Sequence, residues 1–496
     1  MAAERQHKSD NTHGSFPLEL SSQEAGETTA IAMDMDGEEG CFTHHNTDPK
    51  KEPKGCFIPD EDLTLPFAPE SLPAWATSIR NGLMNKNNNA EPVVCTNVLS
   101  FLCGSNNVVF PLVFSDGVTW ALKVPQGPAC QSVFTPANAH SITTEVLTLR
   151  LLKKETTIPV PVVHDYCASM RNSLLYPYIL MDYMDGLPSF RTWFPEEPVD
   201  PNVLETRRMN TLNDLADIAV QLSKFTSTRG GWPIFDSEGQ ISDVGIQRKF
   251  DQEIAFADET GQSDSDALVS IGPFETAKSR FLAMLDRREV PADDVYSTGT
   301  YKLLHMFIDW ASELEDFETG EFVLTHYDFA LQNVLVTEEG RVCGIIDWED
   351  VGFAPACVGN LSYPEFLTPD LDPDYSYDPE NKNQNSPEEL KRFRVVYSDM
   401  IEKKLFEATG TVGGSTRTRK SPLFMDLQFA ADYLSRTHVT MIKLWEQMTD
   451  LMGKQLIVNG QVLDDGEIAW GLAEGELDEA TIELVKGRFM DFYNSL

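Results

Sequence analysis

Basic residues are scarce in this chain. Lys and Arg number 39 against 78 Asp and Glu, a formal net charge of -39 over 496 residues. Nucleic acid and anionic membrane surfaces both reward a basic face, so the balance argues against either as a partner. It is compatible with a cationic substrate, although a solvated acidic surface explains most of such a charge. No CxxC pair occurs among the eight cysteines, at 41, 56, 95, 103, 130, 167, 343 and 357. Disulfide frameworks belong to short secreted chains, so reduced thiols in a cytoplasmic protein are expected. Cys41, His44, His45 and Cys56 fit no standard zinc spacing. No apolar run approaches the length of a bilayer span. Residues 1–62 lack both the apolar core of a secretory signal and the acid-poor character of a transit peptide.

What is present suffices for a sizeable core. Hydrophobic residues make up 41% and aromatics 10%, which excludes wholesale disorder, and the length suits two or three domain-sized units. Residues 1–62 are polar, charged and poor in aliphatics, and a disordered tail is expected there. Residues 63–90 mix Pro, Leu, Trp and Ile as a short helical entry segment. Val108–Phe114 and Val118–Val124 are apolar, β-prone runs around the turn signal Ser115-Asp116-Gly117, which predicts a hairpin. After a loop holding Pro128 and Pro136, Ile142, Val146, Leu149 and Leu152 recur at helical spacing, and Tyr178–Met181 reads as a buried strand. Residues 91–185 therefore form a small sheet with one helix. Residues 186–496 are mainly helical, with stripes in 212–225, 301–314, 390–406 and 423–448, and Asp370–Glu389 is a long acidic surface loop. The expected fold class is α+β in two lobes.

The most informative stretch is 322–349. Val334–Thr337 and Arg341–Ile346 are two strands around a turn near Gly340, and Asn333 and Asp347 lie at equal distance from that glycine. A hairpin brings them together at its open end as one amide oxygen and one carboxylate, hard ligands suited to Mg²⁺ with phosphate oxygens. Asp328, five residues before Asn333, is placed to orient a hydroxyl nucleophile and take its proton. His326-x-Asp328 with Asn333 and a following Asp347 is the layout of a kinase. A nucleotide kinase also needs a strand lysine and a helix carboxylate to hold it. Lys123 sits on the second hairpin strand two residues after Ala121, on the same face, where Ala121 is small enough to roof an adenine ring. Glu145 lies on the predicted helix. Gly104-Ser105-Asn106-Asn107 is a glycine-poor phosphate-covering turn, and Asp182-Tyr183-Met184 stands where an adenine-contacting hinge belongs.

These residues resemble the aminoglycoside phosphotransferase / choline kinase branch of the protein-kinase-like superfamily, its eukaryotic, largely fungal members most. The likeness runs from about Leu99 to Pro369, carried by 104–125, 145–161, 178–186 and 326–349. It implies a two-lobed fold and transfer of the ATP γ-phosphoryl to a hydroxyl of a small molecule. Asp328 falls on the catalytic Asp, Asn333 and Asp347 on the Mg²⁺ ligands, Lys123 on the ATP lysine and Glu145 on its partner. His326 falls on the brace of the catalytic loop. Tyr327 replaces the commoner Gly there, and is tolerated if its ring points outward. A protein substrate is disfavoured. Ala330 stands where protein kinases place Lys, Asp347-Trp348-Glu349 lacks the glycine of their metal motif, and no activation segment follows. A catalytically silent kinase-like scaffold is the competing reading. Glu349, Asp350 and the acids of 370–378 read as solvated, and Glu365 is given no role.

Overall fold

The turn at Gly117 forms a hairpin. Gly117 has φ +83°, a backbone region that costs glycine nothing. In the computed structural model, described for residues 67–84, 91–104, 107–125, 136–250, 268–287, 290, 294–372, 375–450, 456–458 and 461–496, this hairpin is the centre of a six-stranded sheet. Its strands are β1 (Cys95–Val98), β2 (Leu102–Cys103), β3 (Asn107–Phe114), β4 (Thr119–Pro125), β5 (Val163–Cys167) and β6 (Tyr178–Asp182). The order is β1-β3-β4-β6-β5, with β2 on β3. Alternation along β4 divides two cores. Trp120, Leu122 and Val124 join Leu72 and Ala76 of helix α1 (Leu72–Met84) on one face. Ala121 joins Val146, Leu149 and Leu152 of helix α2 (Pro136–Glu155) on the other. Lys123 shares that second face. Pro136 is the first residue of α2 rather than part of a loop, because proline's missing N–H costs nothing in a first helical turn.

The remainder is mainly helical: α3 (Ser189–Trp193), α4 (Pro201–Leu222), α5 (Ala277–Leu285), α6 (Val295–Ala311), α7 (Pro387–Thr409), α8 (Gly414–Asp432), α9 (Leu434–Asp450), α10 (Asp465–Glu474) and α11 (Glu479–Ser495). Leu212, Leu215, Ile218, Ala219 and Leu222 of α4 are buried as their spacing requires. Three expectations are corrected. The stretch 423–448 is two helices, broken at Tyr433, whose backbone is extended (φ -130°, ψ 109°). Strands interrupt the helical region after α4: β7 (Leu187–Pro188) precedes it, and β8 (Thr226–Ser227), β9 (Trp232–Phe235), β10 (Ile241–Gly245), β11 (Gln247–Phe250) and β12 (Leu268–Ile271) follow. They are short, and β10 shows no clean inside–outside alternation to read. The acidic segment 370–389 is tied down. Arg394 pairs with Asp370, Arg436 with Asp372 at 2.8 Å, and the Tyr375 hydroxyl donates to the Asn385 carbonyl at 2.9 Å. Ser386 then caps α7 reciprocally with Glu389.

The tail 1–62 and the cysteines and histidines at 41–56 lie outside the described residues. Cys95, Cys103, Cys167, Cys343 and Cys357 are free thiols. Among the described residues no helix is long and apolar enough to cross a membrane.

Candidate active site

Asn333 and Asp347 meet because of a hairpin. Strands β13 (Phe322–Thr325), β14 (Val334–Val336), β15 (Val342–Ile345) and β16 (Gly352–Pro355) complete two small sheets, β15-β14-β7 and β16-β13-β8. Val334 pairs with Ile345 and Leu335 with Gly344. Gly340 closes the turn at φ +77°, and a methyl group there would stand 2.3 Å from the Arg207 carbonyl oxygen. At the open end the Ile346 N–H donates to the Asn333 carbonyl at 3.0 Å. Asn333 is buried, and its Nδ2 donates to the Asp328 carbonyl at 3.0 Å and to Asp328 Oδ2 at 2.6 Å. Both amide protons are thus directed at Asp328. The Asn333 Oδ1 is the side's remaining hard oxygen. The structure brings Asp328, Asn333 and Asp347 to one place.

His326 follows β13 and is buried. Its Nε2 donates to the Ile346 carbonyl at 2.9 Å, linking the Asp328 loop to the strand that delivers Asp347. Its ring meets Trp348 edge-on at 4.6 Å, and its Nδ1 is buried without a hydrogen-bond partner. Burial holds the imidazole below its ordinary range, so the ring is neutral and acts as a brace. Trp348 is 1% exposed and belongs to the core.

Lys123 joins the sheet lobe to this hairpin. Its Nζ donates to both Glu145 oxygens, at 2.9 and 3.1 Å, and to Asp347 Oδ1 at 2.8 Å. Lys123 is 5% and Glu145 3% exposed. Burial works against the ammonium, yet Asp347, Glu145 and Glu349 together hold its pKa well above the ordinary value. Burial also opposes ionisation of Asp347, and Lys123 outweighs it and keeps that carboxyl low. Asp347 has φ +64°, a left-handed conformation that Asp tolerates better than most residues, and it aims the carboxylate back at Lys123.

Four neighbours carry no clear signal in the sequence. Glu349 is not solvated: its carboxylate stands 3.6 Å from Lys123 Nζ and accepts a hydrogen bond from Asn107 Nδ2, while its carbonyl accepts from the Ser141 hydroxyl at 3.3 Å. Enclosure by the protein, with Glu349 and Asp347 adding, lifts the Asp350 carboxyl to about 7. Glu365 is raised likewise, by enclosure and by Asp328. Tyr327 is 42% exposed beside Asp328. Each owes its place to a turn or a chain reversal, so spacing alone does not reveal it.

The surroundings of Asp182, Tyr183 and Gly104 are plainer, and Ser105 and Asn106 lie outside the described residues. Asp182 ends β6, and its carboxylate accepts from His164 Nε2 at 2.7 Å and from the Val162 N–H at 3.2 Å. Its own N–H donates to the Val162 carbonyl at 3.0 Å, and that of Tyr183 to the Thr119 carbonyl at 3.3 Å. The Asp182 side chain therefore braces β5 against β6. Gly104 donates its N–H to the Asn107 carbonyl at 2.8 Å, and a methyl group there would meet nothing closer than 3.7 Å. Nothing steric requires glycine at that position. Ala121 lies in the core against Met181.

Residues 113–358 match the phosphotransferase enzyme family, APH. The match takes in Lys123, Glu145, Asp328, Asn333 and Asp347, so the chain carries a phosphotransferase-type enzyme domain. Its fold combines a six-stranded sheet lobe with a mainly helical lobe. The chain is similar in structure to the macrolide 2′-phosphotransferase of Brachybacterium faecium, at 14% identity and a TM-score of 0.36, over 76% of this chain and 91% of that one. An aminoglycoside phosphotransferase from Alicyclobacillus acidocaldarius gives 13% and 0.32, over 81% and 94%. An ethanolamine kinase from Plasmodium vivax gives 11% and 0.35, over 84% and 91%. No curated protein sequence matches the chain. The phosphotransferase domain contains every catalytic and metal candidate named above.

Proposed function

We propose that this chain transfers the γ-phosphoryl group of Mg-ATP to a hydroxyl of a small molecule. One observation carries the reading: Lys123, tied at both Glu145 oxygens, also reaches Asp347 at 2.8 Å, so a buried ammonium from the sheet lobe meets the carboxylate at the open end of the hairpin whose other side carries Asn333, itself bonded to Asp328. A lysine so held presents its charge at one point, where a phosphate chain is aligned rather than merely attracted. Residues 91–185 serve as the nucleotide lobe, with Gly104, Ala121, Asp182 and Tyr183 around the base and phosphates, and residues 186–496 supply the acceptor side. The resemblance to fungal members of the family is part of the same reading.

The donor set suits Mg²⁺. Among the described residues no group of three His, Cys, Asp or Glu side chains is placed to hold a metal. Asp347 and the Asn333 amide oxygen instead offer one carboxylate and one neutral oxygen, the sparse set a Mg²⁺ ion takes when phosphates and water complete its shell. Mg²⁺, when bound, neutralises charge on the phosphate chain. Asp328, fixed by two hydrogen bonds from Asn333, orients the acceptor hydroxyl and takes its proton. His326 keeps the Asp328 loop at a set distance from Asp347. Most of the acceleration comes from this positioning.

Titration calorimetry of Mg-ATP on the full chain and on Asp347→Ala tests the proposal. Metal-dependent binding, lost in the variant, is expected and opens an acceptor screen beginning with amino alcohols. A folded parent chain that binds no nucleotide would overturn the reading in favour of a silent kinase-like protein.

A further inference from the structure

Helix α2 is held from two sides. Every buried residue of the helix lies between Thr144 and Leu152, where it covers the sheet. Its first turns, 136–143, bury no residue. Glu145 therefore stands at the edge of the part that the sheet fixes. The first turns are met instead from the helical lobe. The His140 ring lies 5.3 Å from the Trp232 ring, centroid to centroid, at a tilt of 39°, and the neighbouring Ser141 hydroxyl donates to the Glu349 carbonyl at 3.3 Å. Trp232 opens β9 and is 4% exposed. Its Nε1 is buried with no hydrogen-bond partner among the described residues, so packing rather than a polar tether sets the indole. The strand beneath it is pinned. Gly231 exchanges hydrogen bonds with Phe353 of β16, its N–H donating at 3.1 Å and its carbonyl accepting at 2.8 Å. Gly231 has φ +143°, and a methyl group there would collide with the Gly245 carbonyl across the β9–β10 hairpin. One on Gly230 would strike the Phe322 ring. The two glycines allow this close passage, and β9 packs on both β16 and α2.

We propose that Trp232 is a positioning residue for the nucleotide site: through His140 it fixes the first turns of α2, and with them the place at which Glu145 holds Lys123 against Asp347. The inference rests on the phosphotransferase reading above. Lys123 comes from the sheet and Asp347 from the helical lobe, and Lys123 bonds to Glu145 and Asp347 together. A helix fastened to the sheet alone would carry Glu145 with the sheet if the lobes shifted. A second fastening ahead of Glu145, made by a strand hydrogen-bonded to β16, ties that carboxylate to the lobe that supplies Asp347. A buried indole suits the task, because it offers a large, stiff face at a low cost in side-chain freedom. The Ser141 bond adds one point on the same turn and does not replace that area. The β9–β10 hairpin thereby serves the alignment of the phosphate chain without supplying a ligand to it.

Amide hydrogen exchange along α2 and Mg-ATP affinity by calorimetry, both on the full chain, test the assignment in Trp232→Ala and Trp232→Phe. In Trp232→Ala, exchange of the amides of 140–145 is expected to rise about tenfold or more, while 146–155, held by the sheet, keep the parent rates. Mg-ATP affinity should fall about fivefold or more, the scale of coupling between separate sites. Trp232→Phe should retain both, since a ring still fills the contact. Because Trp232 acts through Glu145, the loss should vanish in a Glu145→Gln background: the double variant binds no more weakly than Glu145→Gln alone. Unchanged exchange or unchanged affinity in Trp232→Ala, or a loss that adds in full to that of Glu145→Gln, overturns the inference while the phosphotransferase reading stands. If the parent chain binds no Mg-ATP, both fail. His140→Ala removes the other half of the contact from a half-buried position, and it gives the same readouts should Trp232→Ala not fold.

Discussion

Asp328 and His326 differ in what they do although two residues separate them. Asp328 is exposed, with its carboxylate held by Asn333 at 2.6 Å. Asp328→Asn keeps the size of the side chain and removes the proton acceptor. Turnover should fall about 10²–10⁴-fold while Mg-ATP affinity in calorimetry is held. A parallel loss of affinity would assign Asp328 to nucleotide binding instead. His326 is a matter of stability. Its imidazole is held below the ordinary value of 6.5 by burial, so the unfolded chain binds the proton more readily than the folded one. The stability this neutral ring contributes is complete above pH 6.5 and is lost as pH falls towards the folded value. Melting temperature should therefore drop on acidification below that point, and His326→Gln should flatten the slope. An identical slope in the variant would show that other groups govern it.

At the scale of elements, the hairpin of β14 and β15 carries both metal candidates, and its turn is the weak point. Gly340 needs a left-handed backbone, and a side chain there collides with the Arg207 carbonyl. Gly340→Ala is expected to cost about 1–3 kcal/mol of stability. Because the turn sets the register that brings Asn333 to Asp347, Mg-ATP affinity should fall with it. Calorimetry and thermal unfolding of one preparation check both. Loss of stability with full affinity would mean that the β7 pairing and the His326 bond hold the open end without the turn. Helix α2 contributes in a different way. Its face of Val146, Leu149 and Leu152 is buried against the sheet, which fixes the depth at which Glu145 meets Lys123.

For the whole molecule the charge of -39 is the dominant property. Self-repulsion at that charge opposes compaction, and salt screens it. Raising ionic strength from about 0.01 M to about 0.15 M shortens the screening length from about 30 to about 8 Å. Thermal stability should rise over that range. A fall would show that pairs such as Arg394–Asp370 and Arg280–Asp432 outweigh the repulsion. The site itself is a property of the whole chain, since Lys123 and Asp347 are 224 positions apart and come from different lobes.

Local patterns in the sequence were sufficient for the parts built by local rules. Apolar, β-prone runs around a turn glycine marked β3 and β4, a helical stripe marked α2 and α4, and symmetry about Gly340 paired Asn333 with Asp347. Short strands without alternation, such as β8 to β12, left no such trace. Three-dimensional packing alone decided the rest. It turned Glu349 inward onto Asn107 and Lys123, placed Glu365 in reach of Asp328, and set the ring of Tyr327 on Gly352 against Gln247 and Arg280. The physical reason is the same in each case. Hydrogen bonds and apolar periodicity within a segment are written in neighbouring residues, whereas the direction of a cleft side chain depends on what distant elements leave unfilled.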